Sequence, residues 1–248
     1  MLGMSISAKQ VVRTWWAAMA EALLEDCETS GDIAAKQAMW RADEADAYCG
    51  RCGASAGEGA ATESGCPHCR GQSVAWDGVV RLDAYESPMD EWIRRMKFRR
   101  MWTWGPWFGR QLAMASGGRL RGGRTVVTGV PLHWRRRWSR GYDQAWLMAK
   151  AMGEAGGVPV SRLLERRRWT TSQSKLKSQH KRAANVKDAF AMKPVDLTGW
   201  TVWLVDDVKT TGSTLRQCVR LLKNAGAERV FVAVAAVADP KGSGFERS

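Results

Sequence analysis

The chain has 248 residues, 45% hydrophobic and 25% charged, which excludes a disordered, collagenous or coiled-coil protein. No run approaches the ~18 consecutive apolar residues of a membrane-spanning helix. The net charge of +13 points to polyanionic partners such as nucleic acid, phosphorylated small molecules or anionic membrane.

The charge is uneven. Residues 1–91 carry 7 basic and 15 acidic side chains, whereas residues 92–142 carry 13 Lys/Arg and no carboxylate. Such a block repels itself without a counter-anion, so an anion-binding face is expected beyond residue 91.

The first 48 residues read as helical and acidic, with an amphipathic helix from about Ala8 to Asp26. Ala18-Met19-Ala20 imitates a cleavage site. The uncharged run before it is short and Glu21 closes it, so a cytoplasmic protein with reduced thiols is expected.

Cys49-Gly-Arg-Cys52 and Cys66-Pro-His-Cys69 follow, separated by thirteen residues. Two such turns bring four thiolates to the corners of a tetrahedron, the closed structural site that Zn²⁺ favours. Two disulfides are the alternative. The Gly/Ala/Ser-rich stretch between the pairs has no core of its own, so the metal would supply much of its folding energy. Cys27 and Cys218 sit in helical patterns and read as small apolar residues. The organisation expected is a helical extension over 1–48, a zinc knuckle over 49–75 and a larger domain over 76–248.

Residues 76–87 read as strand or hairpin, and Pro88 opens a helix that breaks at Gly105-Pro106 and resumes to about Ala115. TVVTGVP (125–131) is a short β-branched run, Gln144–Gly153 is helix-like and Val158–Leu164 reads as a strand. Residues 166–187 are polar and without period, hence a mobile loop. TVWLV (201–205) and RVFVAVAAVA (229–238) are apolar on both faces, with a helix over Ser213–Asn224 between them. Doubly buried strands alternating with helices indicate an α/β fold, a parallel sheet covered on both sides.

The most informative segment is Val202-Trp-Leu-Val-Asp206-Asp207-Val208-Lys209-Thr210-Thr211-Gly212-Ser213-Thr214. A buried strand delivers two adjacent carboxylates to its carboxyl end, where open α/β sheets bind ligands. A turn of small hydroxyl residues around Gly212 then opens a helix, whose amides and dipole favour phosphate. Paired carboxylates beside phosphate make sense as acceptors for the vicinal hydroxyls of a ribose, or as Mg²⁺ ligands.

This segment resembles the phosphoribosyl-pyrophosphate signature of type I phosphoribosyltransferases. Arg140-Gly-Tyr-Asp-Gln144, then Gln173, Arg182 and Asn185–Phe190, and finally Gly226-Ala227 narrow the resemblance to the ComF family of competence-associated proteins. Tyr85, Ile93, Lys97 and Phe98 match a family stretch, and the family carries an N-terminal four-cysteine knuckle. Asp143 stands where Asn is usual, and the extension before Cys49 is longer than the pattern.

The resemblance implies a type I phosphoribosyltransferase fold and roles by position. Asp206 and Asp207 would hold the ribose hydroxyls of phosphoribosyl pyrophosphate, as catalytic residues. Thr210, Thr211, Gly212, Ser213 and Thr214 would cradle its 5-phosphate. Pro131 and its loop would face pyrophosphate, with Arg137 or Arg140 adding charge and Mg²⁺ accompanying the ligand. Residues 166–187 would form the hood, and His133 lies near the pyrophosphate loop.

The resemblance also brings DNA uptake during natural transformation as context, with other uptake proteins as partners. Two classes stay open: a phosphoribosyltransferase, and a single-stranded-DNA-binding factor with a non-catalytic fold. Trp92, Trp102, Trp104, Trp107, Trp134, Trp138 and Trp169 lie among the basic runs, as stacking platforms do in single-strand binders. At least half of them are expected in the core.

Overall fold

A computed structural model describes residues 29–57, 59–60, 64–133, 138–167 and 189–239. The expected helix over 8–26, Cys27, Arg137 and most of the hood lie outside these residues.

Four strands form a parallel sheet: β1 (Gly78–Ala84), β2 (Thr125–Gly129), β5 (Thr201–Lys209) and β6 (Arg229–Val237), in the order β1-β6-β5-β2. The expected parallel sheet is therefore present. Side chains alternate across it with period two. Val202 and Leu204 pack on one face with Leu215, Cys218, Val219 and Leu222 of α5 (Ser213–Asn224). A hairpin of β3 (Leu164–Arg166) and β4 (Phe190–Met192) joins them. Trp203 and Val205 pack on the opposite face. There they meet α2 (Met89–Phe98), α3 (Trp104–Ser116) and α4 (Gln144–Gly156). Each fully buried Val or Leu contributes roughly 1.5–3 kcal/mol.

Three expectations need correction. The α2–α3 break falls at residues 99–103, before Gly105-Pro106. Pro106 sits in the first turn of α3, where no N–H is needed. Gly109 instead serves packing, since a Cβ there would stand 2.3 Å from the Met148 carbonyl oxygen of α4. The expected strand over 158–164 is reduced to a single parallel bridge from Val160 to Val127, followed by the short β3. Of the described residues before Cys49, only α1 (Ser30–Gln37) is helical.

α1 and the segment that follows it are bound into the core. Trp107 Nε1 donates to Asp32 Oδ1 at 2.8 Å, and Trp40 Nε1 donates to Asp83 Oδ2 at 2.7 Å. Trp40, Trp92, Trp104 and Trp107 form one ring cluster with centroids 5.2–5.8 Å apart. Trp92, Trp104 and Trp107 are therefore core residues, not stacking platforms. Trp102 and Trp138 are 55% and 80% exposed, and Trp134 and Trp169 lie outside the described residues.

The edge of β1 is covered by the cysteine-bearing segment. The Asp43 amide donates to the Leu82 carbonyl and the Val79 amide to the Gly50 carbonyl. Arg81 points from mid-strand into that segment with a fully buried side chain. Its guanidinium pairs with Asp43 at 2.8 Å and donates to the Gly53 carbonyl and to Ser55 Oγ. It also lies 3.6 Å from Asp239. No helix among the described residues is long and apolar enough to cross a membrane.

Candidate functional site

β5 extends past the expected TVWLV and carries Asp206 and Asp207 to its carboxyl end. The following turn closes at Gly212, whose φ of 70° is left-handed and suits a residue without Cβ. Gly212 heads α5 with no side-chain cap, leaving the helix N-terminus facing a cavity of about 450 Å³. Asp206, Asp207, Thr210, Gly212, Ser213, Thr214, Pro131 and Arg140 all line it. Thr211 does not. Its hydroxyl donates to Ser213 Oγ at 3.2 Å, and its carbonyl accepts from Arg216. Arg137 lies outside the described residues.

The two carboxylates have different environments. Asp207 Oδ1 pairs with Lys97 Nζ at 2.8 Å, and Oδ2 accepts from Gln144 Nε2 at 2.9 Å. Burial alone would raise this carboxyl, but Lys97, Gln144 and Arg140 outweigh it and hold it below the usual carboxylate range. Asp206 Oδ1 accepts from the Asp207 amide at 2.8 Å. Burial first, and the Asp207 charge second, push the Asp206 carboxyl up to about 8. The pair thus keeps one proton near neutrality.

The four cysteines form a second centre. Their Sγ atoms all lie within 4.8 Å of one another. Separations are 3.8 Å for Cys49–Cys69, 3.6 Å for Cys52–Cys66 and 3.9 Å for Cys66–Cys69. A tetrahedron with metal–sulfur bonds of ~2.3 Å has edges of ~3.8 Å, so the donor set fits such an ion. All four are thiols, not disulfides. Gly65 closes over them, where a Cβ would stand 2.5 Å from Cys69 Sγ.

The phosphoribosyl transferase domain family matches residues 148–247. Competence protein F of Haemophilus influenzae is 32% identical over 196 residues, 75% of this chain and 82% of that protein. The chain belongs to the ComF family. Its relatives include DNA utilization protein YhgH of Escherichia coli, 31% identical over 67% of this chain and 75% of that protein. Competence protein ComFC of Streptococcus pneumoniae is 32% identical over 41% of this chain and 43% of that protein.

In this ComF chain the structure adds residues that local sequence reading left without a role. Lys97, from the end of α2, and Gln144, from the start of α4, reach the Asp pair across the cavity. Tyr85, Arg94, Phe98 and Arg166 also line it. The family stretch through Tyr85, Lys97 and Phe98 was the available signal. Only folding shows that it ends against Asp207. His133 is 3% exposed and does not line the cavity, so it is a packed histidine. Cys218 is fully buried under the sheet, as expected of an apolar residue.

Proposed function

We propose that this ComF protein binds phosphoribosyl pyrophosphate in the 450 Å³ cavity and acts in DNA uptake in the cytoplasm, alongside other uptake proteins. The observation that carries the reading is the convergence of Asp206, Asp207 and the Gly212-headed N-terminus of α5 on one cavity. The Asp pair accepts from the ribose hydroxyls, and Thr210, Gly212, Ser213 and Thr214 receive the 5-phosphate. Arg140, Arg94 and Lys97 offer positive charge to pyrophosphate. Ionised together, Asp206 and Asp207 offer the paired carboxylate oxygens that Mg²⁺ favours. When bound, Mg²⁺ supplies charge that stabilises departing pyrophosphate. In a transferase the cationic wall favours loosening of the C1–pyrophosphate bond, and a closing hood excludes water. Calorimetry with phosphoribosyl pyrophosphate and Mg²⁺ tests the reading. An absence of heat at millimolar ligand removes it.

The thiol cluster is read as a structural zinc site within a knuckle over 49–75, between an N-terminal extension and the larger domain over 76–248. Purified protein is expected to hold one zinc per chain. Metal analysis with no zinc and four titrating thiols would reject this.

A second reading, single-stranded DNA binding, is favoured by exposed aromatics near the cationic wall. Phe98 and Trp138 are 72% and 80% exposed, and the Arg140 guanidinium lies 5.4 Å over the Phe98 ring. Oligonucleotide affinity is expected to fall with salt at a log–log slope near −3.5, for about five phosphates at ~0.7 each. Charge reversal at Arg135, Arg136 and Arg137 should flatten that slope. Trp138→Ala should weaken binding with little change in the salt slope. Fluorescence titration at several salt concentrations measures both, and absence of micromolar binding at low salt excludes this reading.

A further inference from the structure

Trp76 connects two centres that lie far apart in the chain. Its indole is 6% exposed. One edge donates from Nε1 to the Arg51 carbonyl at 2.9 Å, on the turn between Cys49 and Cys52. The opposite edge closes on Gly212, where a Cβ would stand 3.0 Å from Cη2 and 3.6 Å from Cζ3. Gly212 heads the helix whose N-terminus faces the cavity.

The turn that Trp76 grips is itself braced across the cysteine cluster. Arg51 Nη1 donates to the Ser64 carbonyl at 2.6 Å and Nη2 to the Gln72 carbonyl at 2.7 Å. These two carbonyls flank Cys66 and Cys69. Gly50 accepts from the Val79 amide of β1. Any ion that draws the four thiols together therefore fixes the Arg51 carbonyl. The indole is a rigid plate and passes that position to Gly212.

We propose that Trp76 is a positioning residue that links the four-thiol metal site to the phosphate cradle, so that metal and phosphate ligand strengthen each other's binding. Linkage requires the effect to be reciprocal. The proposal rests on the reading of the cradle as a phosphoribosyl pyrophosphate site.

Zinc affinity is measured by competition with a chromophoric chelator at fixed Mg²⁺, without and with saturating phosphoribosyl pyrophosphate. The ligand is expected to tighten zinc about fivefold or more in the full-length protein. Trp76→Phe has no N–H for the Arg51 carbonyl and a shorter ring towards Gly212, and its factor is expected to fall close to one. A variant with Asp206→Asn and Asp207→Asn reports any zinc taken up by the ligand itself. A factor of one in the wild type, or the wild-type factor in Trp76→Phe, overturns the linkage. Calorimetry on the zinc-loaded wild type separates the two readings. No ligand heat there removes the cradle reading, and the linkage with it. Should Trp76→Phe fail to fold, amide exchange in the zinc-loaded wild type decides. Added ligand is expected to slow exchange across residues 49–53, and unchanged rates there overturn the proposal.

Discussion

Phosphoribosyl pyrophosphate binding is expected to disappear when Asp206→Asn and Asp207→Asn are combined, with the fold retained. Each carboxylate that accepts a ribose hydroxyl is worth roughly 1.5–3 kcal/mol as a charge-assisted hydrogen bond. The pair together is therefore worth about 3–6 kcal/mol, or ~10²–10⁴ in affinity. The fold tolerates the change because the amides keep the shape, and Asp206→Asn removes one of two adjacent buried acidic groups. Asp207→Asn breaks the Lys97 ion pair, but the Lys97 side chain is 18% exposed and retains contact with water. Calorimetric affinity within threefold of the wild type would reject the site.

The same pair sets a pH dependence. In the folded, ligand-free protein the Asp206 carboxyl is raised from 3.8 to about 8. Its contribution to stability is present below the unfolded value and is lost as pH rises through about 8. Asp207 is lowered, so its contribution is present above the unfolded value and is lost as pH falls through the folded one. Ligand with Mg²⁺ favours an ionised pair, and binding near neutrality should release one proton. Affinity is expected to rise by up to about tenfold per pH unit between pH 6 and 8. Asp206→Asn should flatten this rise. Equal proton release by the two proteins, measured in buffers of different ionisation heat, would contradict it.

Arg81→Leu is expected to destabilise the protein by about 3–5 kcal/mol, the usual cost of removing one partner of a buried ion pair. The substitution removes the Arg81 cation from Asp43, whose side chain is 10% exposed. It also strips the donor from the Gly53 carbonyl. These groups lie on the cysteine-bearing segment, so its docking to β1 should suffer first. Denaturant unfolding measures the loss, and thiol labelling in chelator should accelerate. A change below about 1 kcal/mol, as for an exposed pair, would show that the contacts are replaceable.

Much of the fold is legible in local chemistry. The apolar runs at 201–205 and 229–238 are strands because both faces are buried, and the helix over Ser213–Asn224 matches the structure residue for residue. Leu215, Cys218, Val219 and Leu222 recur at helical spacing, so that helix could be read without knowing its neighbours. The C-x2-C pairs and the Asp-Asp and Thr-Thr-Gly-Ser-Thr runs are likewise local, since each is a short run whose chemistry is legible without its neighbours.

Tertiary structure decided the rest, because it depends on side chains that meet from distant elements. Lys97 has only a family match in sequence until α2 packs against β6 and places it on Asp207. Arg81 is a charged residue within a strand pattern, and only the cysteine-bearing segment that covers β1 buries it. Trp92, Trp104 and Trp107 look the same in sequence as Trp138. Burial against the sheet takes the first three into the core, while Trp138 remains in solvent. Trp76 carries no local signal at all, and its position between the Arg51 carbonyl and Gly212 exists only once the knuckle and α5 stand side by side.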